Sequence, residues 1–135
     1  MKGTYTKELL DQLRLFARLS GVEAKDVFGA NGVLYFIVEA QDIGRAIGRQ
    51  GAAVKRLQQA LRRTIKIIAF DEDAARFVRN LIQPIAASCA REGDVITVRS
   101  GDRASKGLLI GRNAKNLNTL RSVVQRYFPV DIQIV

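Results

Sequence analysis

The residues best suited to chemistry in this 135-residue chain lie in one stretch, Ile43-Gly44-Arg45-Ala46-Ile47-Gly48-Arg49-Gln50-Gly51, with Ala52-Ala53-Val54-Lys55-Arg56-Leu57 after it. It reads as a short helix, the turn Gly48-Arg49-Gln50-Gly51, and a second helix whose apolar face carries Val54, Leu57 and Leu61. Glycines at both ends of the turn permit a tight bend and keep side chains away from an approaching ligand. The turn opens onto a helix N-terminus, where unbonded amides and the helix dipole favour an anion. With Arg49 in the turn and Lys55 and Arg56 beyond it, the chemistry these residues suit is a non-covalent grip on phosphate. The plain alternative is a tight helix–helix turn that binds nothing.

A second copy lies 63 residues on. Gly107 falls on Gly44, Ile110 on Ile47, Gly111 on Gly48, Arg112 on Arg49, Leu117 on Val54 and Leu120 on Leu57. Repetition of Gly-x-x-Ile-Gly-Arg in matching surroundings argues for a duplicated module. Asn113 lies within the second loop, and Lys106 and Lys115 flank it. Ala114 stands where the closing glycine belongs. Its methyl group could restrict the turn or hold a phosphate off, although alanine at a helix start is not expected to be costly in itself.

Composition narrows the functions. Lys and Arg number 22 against 13 Asp and Glu, a net charge of +9 that favours a polyanionic partner. Residues 1–70 hold 12 basic and 6 acidic side chains, residues 71–135 hold 10 and 7, so the first half is expected to bind more strongly. Histidine is absent and Cys89 is the single cysteine, which removes an internal disulfide, the usual zinc sites and histidine acid–base catalysis. Cys89, in the run Ile85-Ala86-Ala87-Ser88-Cys89-Ala90, is expected to be a small buried residue. Met1-Lys2-Gly3-Thr4-Tyr5 shows no leader or membrane span, so a cytoplasmic location and no membrane partner are expected. Neither loop is a P-loop, which requires Gly-Lys-Ser/Thr, or a dinucleotide fingerprint.

The elements that position the loops follow from periodicity and punctuation. Thr6 caps a helix with Leu9, Leu10, Leu13, Phe16 and Ala17 on its apolar face, and Ser20-Gly21 ends it. Val27-Phe28 and Val33 to Val38 form a hairpin about the turn Gly29-Ala30-Asn31-Gly32, the second strand apolar on both faces. The helix–loop–helix follows, then a strand at Ile65 to Phe70. Asp71 or Asp73 then caps a helix carrying Phe77, Val78, Leu81 and Ile82, which Pro84 stops. Strands at Ile85 to Ala90 and Val95 to Val98 precede the second loop. A helix with Leu117, Leu120, Val124 and Tyr127 on one face, stopped by Pro129, and a strand at Asp131 to Val135 close the chain.

This order and these loops resemble the paired type II KH domains of the NusA family of transcription elongation and termination factors. More closely, they resemble the short archaeal NusA-like members, which consist of little beyond that pair. The resemblance runs from about Tyr5 to Val135 and rests most on Gly44-x-x-Ile47-Gly48-Arg49-Gln50-Gly51 and Gly107-x-x-Ile110-Gly111-Arg112-Asn113. It implies an α+β fold of two tandem type II KH domains, 1–70 and 71–135, each α-β-β-α-α-β with a three-stranded mixed sheet covered by helices. It implies a non-enzymatic, cofactor-free, monomeric protein that binds single-stranded RNA along a surface continuous across both modules. RNA polymerase or its complexes are the further partners it implies. Longer members also carry an oligonucleotide-binding barrel and a polymerase-binding domain, which this chain is not expected to contain.

Carried onto this chain, the first clamp is Gly48, Arg49, Gln50 and Gly51 with Gly44 and Arg45 before it. The second is Gly111, Arg112 and Asn113, flanked by Lys106, Gly107 and Lys115. Phosphate contacts would come from the loop amides and from Arg45, Arg49, Lys55, Arg56, Arg112 and Lys115. Ile47 and Ile110, with Ile67 as a looser candidate, would line a base-reading groove of about four nucleotides per module, and each is equally a candidate for plain core. Tyr35, Phe36 and Phe70 read as core. Two other readings share the sequence: a KH protein of ribosome assembly or translation, and a KH-fold scaffold that has lost RNA.

Overall fold

The computed structural model describes residues 5–135; the opening residues 1–4, read above as free of a leader, lie outside them. The chain divides into two units, Met1–Phe70 and Asp71–Val135. In the first, the Thr6 hydroxyl accepts the Leu9 amide at 3.2 Å and opens helix α1 (Lys7–Ser20), which Gly21 ends in the left-handed conformation, φ 73°. Strands β1 (Asp26–Ala30) and β2 (Val33–Val38) pair antiparallel across Asn31-Gly32, both at positive φ as a two-residue hairpin turn requires. Helices α2 (Ile43–Ile47) and α3 (Ala52–Leu61) carry the chain over to β3 (Thr64–Ala69), which pairs parallel with β2. Strand order is β1-β2-β3.

The core of this unit forms where α1, α2 and α3 cover one face of the sheet. Phe16 of α1 stacks on Phe36 of β2 with centroids 4.5 Å apart, among Val27, Leu34, Val38, Ala46, Leu57 and Ile65. Leu34 to Val38 are all buried, which accounts for the uniformly apolar strand. Tyr35 is buried and stacked on Phe28, and burial pushes its phenol up. Asp26 is fully buried; its carboxylate accepts the Tyr5 hydroxyl and the Val27 amide.

The second unit repeats the order. Helix α4 (Ala74–Ile82) is capped by Asp73, whose carboxylate accepts the Arg76 amide, and buries Ala74, Ala75, Phe77, Val78, Leu81 and Ile82. It ends where Gln83 takes the extended backbone that a following proline favours. Strands β4 (Ala87–Glu92) and β5 (Val95–Ser100) pair antiparallel, and helices α5 (Arg103–Ile110) and α6 (Lys115–Gln125) lead to β6 (Asp131–Ile134), parallel to β5. Strand order is β4-β5-β6. The fold is therefore α+β with two three-stranded mixed sheets.

Several boundaries differ from the sequence reading. The strand expected from Ile85 begins at Ala87, because the Ile85 amide still bonds the Ile82 carbonyl and finishes the turn after α4. β3 starts at Thr64 and stops at Ala69, with the Phe70 amide still bonded to Val38. β1 extends through Ala30, leaving a turn of two residues rather than four. On α1, Leu10 faces solvent and Gln12 takes its place on the buried face, its Oε1 without a partner among the described residues. Cys89 is half-buried on edge strand β4 rather than buried; burial raises its pKa and nearby Arg79 opposes this. Among the described residues no helix is long and apolar enough to cross a membrane, and no cluster of His, Cys, Asp and Glu could hold a metal ion.

Candidate nucleic-acid interface

The two loops are built alike. Gly48 stands at φ 84°, ψ 168° and Gly111 at φ 75°, ψ 172°. Each is followed by a 3-10 turn, Arg49–Gly51 or Arg112–Ala114, whose middle residue is left-handed: Gln50 at φ 54° and Asn113 at φ 55°. The closing residue is left-handed too, Gly51 at φ 75° and Ala114 at φ 59°. Ala114 therefore adopts a glycine backbone, which costs an L-residue roughly 1–2 kcal/mol. The expectation that alanine is cheap here fails because the position is left-handed rather than helical.

Packing fixes the first glycine of each loop. A Cβ on Gly48 would lie 2.6 Å from the Ala53 nitrogen, and one on Gly111 would lie 2.7 Å from the Asn116 side chain and 2.9 Å from its nitrogen. The turns' own bonds use the Gly48, Gly51 and Ala52 amides, given to the Gly44, Gly48 and Arg49 carbonyls. In the second loop the Gly111, Ala114 and Lys115 amides serve in the same way. The amides of Arg49 and Gln50, and of Arg112 and Asn113, stay outside this bonding at the apex of each turn, beside exposed side chains.

Gly44 and Gly107 have a different character. Both sit inside helices on the approach to the loop, both are exposed, and a Cβ on either would meet nothing within 4 Å. Neither has positive φ. The fold needs no glycine at either place, and glycine inside a helix costs roughly 0.5–1 kcal/mol relative to alanine. Beside each loop there is consequently a patch of bare helix backbone.

The cations are arranged unevenly. Arg49 and Arg112 are exposed in the turns. Lys55 folds back toward the first turn, its Cε 3.9 Å from where a Gly51 Cβ would be. Arg56, exposed and one residue further on, points about 100° away around α3, so the two do not face the turn together. Arg45 is held by Asp42 at 3.2 Å, a solvent-exposed pairing of small energy. Lys106 on α5 and Lys115 at the start of α6 are exposed. Ile47 is exposed and Ile110 half-buried, so both border the loops, whereas Ile67 packs against the core of its own unit.

Comparison with known proteins adds to this geometry. A "Probable transcription termination protein NusA" of Halococcus morrhuae is 25% identical over 134 residues, covering 97% of this chain and 96% of its own length. Proteins of the same name from Methanocaldococcus jannaschii and Methanococcus vannielii are 26% and 28% identical, each over 93% of this chain and over 71% and 75% of their own lengths. The chain is NusA-like. The chain is also similar to the crystal structure of APE1850, at 28% identity and a TM-score of 0.75, covering 97% of this chain and all of that one. No family model matches the chain.

Two features of this NusA-like chain escaped the sequence reading. Asn116, in the first turn of α6, donates from Nδ2 to the Leu108 carbonyl at 2.8 Å and ties the two helices across the second loop. An amide side chain just past a turn was its only signal. Arg121 clamps α6 to β6, donating to Asp131 at 2.7 Å and to the Ile132 carbonyl at 3.2 Å, so this cation belongs to the fold. Phe70 is half-buried with the Lys25 ammonium 5.1 Å from its ring centroid, and Phe36 is fully buried. Neither offers an open stacking platform.

Proposed function

We propose that the chain binds single-stranded RNA through two type II KH domains, residues 1–70 and 71–135, and acts in transcription elongation or termination. The role in transcription comes from the names its relatives carry. The observation that carries RNA binding is the bare helix backbone at Gly44 and Gly107, kept at a cost to helix stability beside each of two matching loops. An approaching ligand explains that bareness; the packing of the chain itself does not. The apex amides and Arg49 or Arg112 would take phosphates, Gln50 and Asn113 sugar or base edges, and the cations Arg45, Lys55, Arg56, Lys106 and Lys115 would add long-range attraction. Ile47 and Ile110 would border the bases. Action by binding alone, with no cofactor, and with polymerase or its complexes as the further partner, completes the reading.

Charge reversal in the first loop tests it. Arg49→Asp with Gln50→Asp alters two exposed side chains and no packing. The double variant should keep its circular-dichroism spectrum and lose roughly tenfold or more in affinity for single-stranded RNA. Undiminished affinity in the folded variant would remove the clamp assignment.

A further inference from the structure

Among the described residues the exposed large apolar side chains are Leu10, Ile47 and Leu108, and Leu108 is the barest at 62%. A lone exposed leucine is ordinary on a protein surface; the position of this one is not. Leu108 lies three residues before Gly111, at the place Arg45 holds before Gly48. Arg45 is a cation tethered to Asp42. Leu108 is a neutral knob whose carbonyl Asn116 holds from across the loop at 2.8 Å, while Ala53, the counterpart of Asn116, has no side-chain amide to do the same. Next to Leu108, Gly107 leaves open space, so a flat ring can reach the leucine from the solvent side.

We propose that Leu108 is a base-contacting residue that makes the second clamp read RNA differently from the first. It lays apolar surface against a nucleobase at the position where the first clamp offers a guanidinium. The inference rests on the RNA-binding function proposed above and deepens it. Apolar contact releases no counterions, so its contribution persists as salt rises, whereas that of Arg45 declines. The second unit, with the smaller charge excess, therefore contributes base preference, and the first contributes charge-driven grip.

The test uses the full chain and labelled single-stranded homopolymer RNAs of each base, titrated at several salt concentrations. Leu108→Ala should bind its preferred homopolymer roughly fivefold to tenfold more weakly at every salt, with the salt slope unchanged and the difference between bases narrowed. Leu108→Arg should steepen the slope of log affinity against log salt by about 0.7. Because Leu108 is exposed and alanine is a good helix former, an unchanged thermal unfolding profile is expected for Leu108→Ala. If the unaltered chain binds RNA but Leu108→Ala matches it in affinity and base preference, this inference alone is overturned. If the unaltered chain binds no RNA, the proposed function falls and the inference with it.

Discussion

Ala114 holds the backbone conformation that Gly51 holds 63 residues earlier, φ 59° and ψ 24° against φ 75° and ψ 17°. One loop closes on a residue made for that conformation, the other on a residue strained by it. Space is not the obstacle, since a Cβ on Gly51 would meet only ordinary contacts at 3.7 and 3.9 Å. Relief of roughly 1–2 kcal/mol of left-handed strain, partly offset by the greater freedom of unfolded glycine, leaves Ala114→Gly more stable by about 1 kcal/mol. Gly51→Ala should lose about the same amount. Urea unfolding of both variants beside the unaltered chain measures this, and shifts of equal sign would refute the strain argument.

Gly44→Ala and Gly107→Ala should separate stability from binding. Each fills open space within a helix and should stabilise the chain by roughly 0.5–1 kcal/mol. Each also puts a methyl group on the bare backbone beside a loop, and RNA affinity should fall severalfold. Thermal unfolding and binding titrations on the same preparations decide the matter. Stabilisation with full affinity would mean that the bareness serves no ligand.

Acid should weaken the second unit through two carboxylates. Asp102 caps α5, and bonds from the Ser105 amide and then its hydroxyl hold its carboxyl below the ordinary value of 3.8. Asp131 is lowered first by the Ile132 amide and then by Arg121. Since the folded pKa lies below the unfolded one in both cases, their stabilisation is complete above the unfolded value and is lost as pH falls through the folded one. Thermal midpoints should therefore drop from about pH 5 downward, and Asp102→Asn or Asp131→Asn should flatten that drop. An unchanged pH profile in both variants would show that these bonds contribute nothing to stability.

The order of elements was legible because each rests on local chemistry: Thr6 and one of Asp71 and Asp73 as caps, turn residues about Asn31-Gly32, and glycines at the loops, although the choice of Asp73 and the two-residue length of the turn came only with the structure. The repeat at the loops was legible too, since turn geometry demands particular residues. What stayed hidden depends on contacts between elements. Gln12 lies on the buried face of α1 and Leu10 off it, a rotation that only packing against the sheet decides. The left-handed state of Ala114 comes from the loop's closure and not from its own preference. Leu108-Leu109-Ile110 is a run too apolar for one helix face, and only the structure shows that Leu109 is the residue turned inward.

Binding to single-stranded RNA, compared by fluorescence anisotropy with the same sequence as DNA and with duplex RNA at low and high salt, decides whether the two loops grip a single strand. A preference for single-stranded RNA that survives the higher salt is the result two backbone clamps predict. Equal binding to all three, erased by salt, would show that the +9 charge acts as generic attraction and would contradict the account.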